Sequence, residues 1–256
     1  MKLPRELASL YARIFRVYVA WFPTLMLLAA IVFIPLGLLG ALAGEIDLDS
    51  LAIDSPVKVA AVIGAVSAVL ATSLLGEVFY SGAIAIGLTH PRHEHPPKLR
   101  EIARRINYRR LILIDIIYVA LVIVGFAALI VPGVLVFIFF GLTGPVVEIE
   151  ERTVREAFRR SFELVRGNFW LVFFVLAPIE LVGEGLGEAL GEAIHEISHG
   201  FLGEWLAETV SSSVLSPLYA VAVVLLTLEL IRRRDGAAPV LKHRPAPVEP
   251  TVSVNA

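Results

Sequence analysis

The sequence contains no cysteine, which excludes disulfides, Cys-ligated zinc, iron–sulfur centres and thiol nucleophiles. Charge is also scarce. Asp, Glu, Lys and Arg make up 18% of the 256 residues against 57% hydrophobic residues, and the mean hydropathy is +0.79. Soluble domains carry roughly 45–50% apolar residues, so this chain is too apolar for water. The formal net charge of −2 is small, and the placement of the charges is more telling than their sum.

What the chain has instead is long uncharged runs. A helix needs ~20 apolar residues to cross the hydrocarbon core, and Val17 to Gly44 contains no charge at all. The basic residues Lys2, Arg5, Arg13 and Arg16 ahead of it imitate a signal peptide. An h-region is only ~7–15 residues long, however, so a retained span is expected. Further runs give six expected spans, at about 17–43, 59–88, 111–131, 134–148, 169–190 and 209–230. Pro132-Gly133 is read as the tight turn between the third and fourth. The expected fold is therefore all-α: a polytopic membrane domain over 1–234 with a disordered tail at 235–256.

Lys and Arg accumulate on the cytoplasmic side of membrane proteins, and six spans sort them cleanly. Arg92, Lys98, Arg100, Arg104, Arg105, Arg109 and Arg110 fall on one side with Arg152 to Arg166, Arg232 to Arg234 and the N-terminal group, while only Lys58 falls on the other. Both termini are thus expected in the cytoplasm of a plasma-membrane protein.

An internal repeat divides the spans. Leu99-Arg100-Glu101-Ile102-Ala103-Arg104-Arg105 and Val154-Arg155-Glu156-Ala157-Phe158-Arg159-Arg160 share the pattern apolar-R-E-x-x-R-R. In the second copy Val154, Ala157, Phe158, Phe162 and Val165 recur at helical spacing, so the segment is amphipathic. Thr153 with Glu156 forms a capping box, and Gly167-Asn168 forms a stop. A weaker third copy precedes the first span. The expected architecture is three hairpins, each preceded by a cytoplasmic amphipathic helix at about 3–16, 98–109 and 153–166. Arg100, Arg104, Arg105, Arg155, Arg159 and Arg160 would face anionic lipid headgroups or a membrane or cytoplasmic protein partner. No nucleic-acid partner and no cofactor are expected.

The middle third, from Pro132-Gly133 to A-F-R-R-S-F-E-L-V-R-G-N-F-W, resembles the membrane-domain family found fused to some bacterial glycerophosphoryl diester phosphodiesterases and also found alone. The matching positions are Pro132, Gly133, Glu148, Ala157, Arg160, Ser161, Leu164, Gly167 and Trp170. The resemblance implies a polytopic bacterial domain with no catalytic role of its own. The phosphodiesterase barrel is missing, so no hydrolase activity is transferred.

Glu180, Glu184, Glu188, Glu192 and Glu196 recur at every fourth residue, interleaved with Gly183, Gly187 and Gly191. Glycines at this spacing form a ridge on which another helix can pack, and so a route to an oligomer. His195-Glu196-Ile197-Ser198-His199 matches H-E-x-x-H, in which two imidazoles one turn apart hold zinc and the Glu is the general base. No third ligand is indicated, and Leu202 stands where the metzincin motif has glycine. A zinc metallopeptidase using His195 and His199 is the one enzymatic alternative to a non-enzyme.

Glu77 lies near the middle of the second span and Glu180 halfway along the fifth. An ionised carboxylate there costs ~3 kcal/mol or more, so such acids are neutral or paired. They suggest either interhelical hydrogen bonding or a small proton- or ion-coupled transporter. The leading expectation from sequence is a non-catalytic membrane scaffold or accessory subunit, with the transporter second.

Overall fold

The computed structural model describes residues 3–44, 76–89, 99–197 and 200–236. The expected start of the second span (59–75), the segment 90–98, His199 and the tail beyond 236 lie outside the described residues, as does the side chain of His195.

The described chain is all-α, without strands. Its helices are α1 (Leu3–Gly44), α2 (Glu77–Leu88), α3 (Leu99–Arg105), α4 (Tyr108–Ala128), α5 (Ile130–Phe140), α6 (Thr143–Ile149), α7 (Val154–Arg166), α8 (Phe169–Ile197) and α9 (Phe201–Asp235). Five stretches are long and apolar enough to cross a membrane: Pro4–Leu38, Tyr108–Ala128, Ile130–Ile149, Phe169–Ile194 and Phe201–Asp235. Ile31, Ile116, Val124, Ile130 and Leu181 are exposed on their outer faces, as lipid contact requires.

Three boundaries differ from the sequence reading. The amphipathic segment 3–16 and the first span are one helix, α1, whose 42 residues reach roughly 63 Å at 1.5 Å per residue. Nothing between Leu7 and Phe22 is glycine or proline, so no residue there ends the helix. The α4/α5 turn falls at Leu129, in an extended conformation, and not at Pro132-Gly133. Pro132 sits in the first turn of α5, where its missing N–H breaks no helical bond. Gly133 instead packs against Gly125, where a Cβ would come within 2.9 Å of the Gly133 Cα. Finally, α8 runs on to Ile197, beyond the expected end of its span.

The helices do not pair simply in chain order. α4 packs on α5 and α8 on α9, but α1 lies chiefly along α9. Short α2 is enclosed by α6, α9 and α4, and every residue from Glu77 to Gly87 except Phe79 is buried. Side-chain hydrogen bonds to carbonyls tie the long helices together: the Tyr11 hydroxyl donates to Phe174 O (2.6 Å), Tyr18 to Val214 O (3.0 Å) and Tyr80 to Leu25 O (2.8 Å).

The arginine-rich ends gather at one end of the molecule. Arg233 pairs with Glu6 at 3.4 Å and Arg234 with Glu163 at 3.2 Å, joining the start of α1, the end of α9 and α7. The apolar stripe of α7 does not face outward toward acyl chains. Ala157, Leu164 and Val165 are buried, while Phe158 meets Phe140 edge-on and the partly exposed Phe162 lies tilted against Phe139 of α5, with ring centroids 5.4 and 4.9 Å apart.

Candidate functional site

The site begins where α2 begins. Gly76, just ahead of Glu77, has φ +96°, a left-handed conformation that glycine adopts without strain. A Cβ on Gly76 would lie 2.5 Å from Leu36 Cδ1 of α1. The apolar run expected as one continuous span therefore contains a helix start in its interior. A helix start leaves backbone N–H groups without intrahelical partners. Here α4 supplies the acceptor: Gly76 N–H donates to Asp115 Oδ2 at 2.7 Å, and Val78 N–H also bonds this carboxylate. Asp115 is buried. The guanidinium of Arg110, on the same helix, reaches Arg152 O. The positive end of the helix dipole favours a carboxylate here and offsets part of the cost of burying it.

Four further oxygen-bearing side chains converge beside this start, each from a different helix. Glu77 opens α2, Tyr118 lies on α4, Glu180 on α8 and Tyr219 on α9. Both phenols are fully enclosed, and both feel the charges of Glu77 and Glu180. The two hydroxyls approach each other, yet among the described residues neither closes a hydrogen bond of ordinary geometry. Gly141 forms part of the wall, since a Cβ there would lie 3.4 Å from Tyr219 Oη, and Phe137 stacks on the Tyr219 ring at 5.9 Å. Counted from the basic ends of their helices, the four groups sit roughly 15–24 Å deep at 1.5 Å per residue. For Glu77, Tyr118 and Glu180, at roughly 15–17 Å, that is near the middle of a ~30 Å hydrocarbon core, with Tyr219 deeper.

In so dry a place the field of one carboxylate acts strongly on the next group, because the effective dielectric is low. Two carboxyls and two phenols together offer both proton donors and acceptors. Among the described residues no set of three or more His, Asp or Glu side chains is placed to hold a metal ion. Glu77 and Glu180 were legible as mid-span acids; Tyr118 and Tyr219 were missed. Their one signal was a hydroxyl inside an apolar span, and a single sequence does not reveal which way such a residue faces.

The remaining sequence candidates take other places. Arg160 is buried, with 8% of its surface exposed, and so leaves the expected lipid-facing set. Its guanidinium grips Glu150 through Nε at 3.0 and 3.1 Å and Nη2 at 2.9 Å, and also binds Asp235. Burial opposes its charge, but these acids outweigh that and raise its pKa. Arg105 and Arg159 pair with Glu101 and Glu163 one turn away, both at 3.1 Å. Arg100, Arg104 and Arg155 are exposed.

Two of the family-like positions make tertiary hydrogen bonds and two others do not. The Glu148 carboxylate accepts from Asn107 N–H at 3.2 Å, just ahead of α4, and Ser161 Oγ donates to Phe139 O at 2.7 Å. Trp170 is 62% exposed and stacks on Phe174, while nothing lies within 4 Å of a Cβ on Gly167. Of the glycine ridge, Gly187 faces Leu215 and Ser211, and Gly191 faces Ala207, all on α9 of the same chain. Those two glycines serve the fold, so the ridge expected to meet a second copy is largely covered. No protein-family model, curated protein or solved structure matches the chain.

Proposed function

We propose that the chain is a six-span protein of the cell membrane with both termini cytoplasmic, and that it works as a small proton-coupled transporter through Glu77, Glu180, Tyr118 and Tyr219. The observation that carries this reading is the convergence of these four groups from four helices, at mid-depth, beside a helix that starts inside the apolar layer. Buried ionisable groups facing a bundle interior are a mark of proton and ion pathways. A helix that starts inside an apolar run beside such groups is in keeping with the way transport sites are built around helix ends. The six spans add α2, with residues before Gly76, to the five long apolar stretches. The orientation rests on the arginine sorting. Membership of the glycerophosphoryl diester phosphodiesterase membrane-domain family is part of this proposal, with no hydrolytic activity attached.

The test is proton flux into vesicles reconstituted with the full chain, read by a trapped pH-sensitive dye under an imposed pH gradient. Wild-type protein should exceed protein-free vesicles, and Glu77→Gln and Glu180→Gln should each return the flux to that baseline. Flux equal to empty vesicles, or unchanged in both variants, would overturn the reading. A second reading, a non-catalytic scaffold, is favoured by the exposed Arg100, Arg104 and Arg155 at the basic end. It predicts no flux, together with co-purification of a partner that is lost when these three arginines are replaced.

A further inference from the structure

A cavity of about 580 Å³ lies between α1, α2, α3 and α4. Its volume falls within the range of ligand pockets, and its shape is set by the helices around it. One end is made by Leu99, Arg100 and Ala103 of α3, at the basic end of the molecule; the other reaches Gly76 and Asp115, at the start of α2. Those ends are separated by about the 18 Å length of α2. The wall between them is almost wholly apolar, aliphatic apart from Phe79 and Tyr108, and Ile31, Ile112 and Ile116 line it while remaining half-exposed, so it opens sideways onto the outer apolar surface.

Arg100 gives the cavity its polarity. It is exposed at the mouth, and no carboxylate among the described residues pairs with it; Arg104 is likewise exposed one turn further along α3. Residues four apart share a helix face, so Arg104, which does not itself line the cavity, adds positive charge beside Arg100. An aliphatic slot with a cationic mouth at the interface matches an amphiphile with an acyl tail and an anionic head.

We infer that this cavity binds one acyl chain of an anionic phospholipid, with the headgroup phosphate on Arg100 and the tail running toward Gly76. The inference needs the membrane placement of the helices but not the proton-coupled reading. The full chain would be reconstituted in phosphatidylcholine bilayers containing a minor fraction of phosphatidylglycerol with a photoreactive acyl chain. The cross-linked residues would then be mapped. Labelling should concentrate at Ile31, Ile112 and Ile116 and exceed that from the same probe on phosphatidylcholine. Arg100→Gln should lower it about fivefold, as expected for loss of one cation near a phosphate, and Arg100→Lys should retain it. Ile112→Trp, which fills the slot, should suppress labelling at Ile31 and Ile116. Equal labelling by the two headgroups, or no effect of Arg100→Gln, would overturn the site. So would a photoreactive side chain at position 112 that captures only another segment of this chain.

Discussion

At the level of single residues, two glycines separate conformational need from mere occurrence. Gly76 combines φ +96° with a neighbour 2.5 Å from any added Cβ. Gly76→Ala should therefore destabilise the protein by about 1–3 kcal/mol, from left-handed strain and overpacking together, and lower the thermal midpoint in detergent. Gly167→Ala, with a helical φ of −82° and open space around it, should leave that midpoint unchanged despite its place in the family-like motif.

Arg160 makes a different kind of demand. Arg160→Ala leaves the mostly buried Glu150 with Arg152 as its remaining cation among the described residues, and losing the charge-assisted bonds from Arg160 costs about 1–3 kcal/mol. Arg160→Lys should recover only part of that, because an ammonium cannot reproduce the two-pronged contact. Sequence reading placed Arg160 with the exposed arginines, since alternation of Arg with apolar residues fixes a helix face but not what lies against it. Glu77 and Glu180 were legible for the opposite reason: a carboxylate in mid-span is conspicuous whatever it faces.

At the level of elements, helix starts and stops were legible where local chemistry sets them. Thr153 N–H and Oγ both donate to Glu156 Oε2, at 3.0 and 2.8 Å, closing the expected cap of α7. The Thr153 backbone bond first, and its hydroxyl second, hold the Glu156 pKa below its usual 4.5. A depressed carboxylate contributes stability that is present above its unfolded value and is lost as pH falls through the folded one. Acidification below the ordinary carboxylate range should thus fray the first turn of α7, seen as faster amide exchange at Val154 to Ala157. Glu156→Gln should show the faster exchange already at neutral pH.

The α4/α5 turn was misread by three residues because Pro-Gly is strong turn punctuation on its own. In the fold the pair serves a close approach. A Cβ on Gly133 would meet the Phe126 ring at 2.4 Å, so Gly133→Ala should destabilise by about 1–3 kcal/mol in a denaturant titration. The unbroken α1 was missed because its amphipathic start resembled the other two repeats, which do end in a stop.

At the level of the whole molecule, the segregation of charge was the most informative sequence feature, and it corresponds to a real gathering of chain segments. The start of α1, α7 and the end of α9 are pinned together by Arg233–Glu6, Arg234–Glu163 and Arg160–Asp235. The helix neighbours were not legible, because hydropathy marks spans without saying which of them touch. That α1 packs along α9, and that α2 is enclosed, bring Glu77, Tyr118, Glu180 and Tyr219 into one place.

Whether those four groups act as one unit is the central claim, and the phenols test it most directly. Replacing Tyr by Phe keeps the packing and removes only the hydroxyl. In reconstituted vesicles, Tyr118→Phe and Tyr219→Phe should each lower proton flux by about a hundredfold, the lower end of the scale for one lost proton-transfer group. If the hydroxyls serve one pathway, the double variant should lose far less than the product of the two single losses, as groups acting together do. Fluxes that multiply independently, or that stay at the wild-type level in both single variants, would contradict the account.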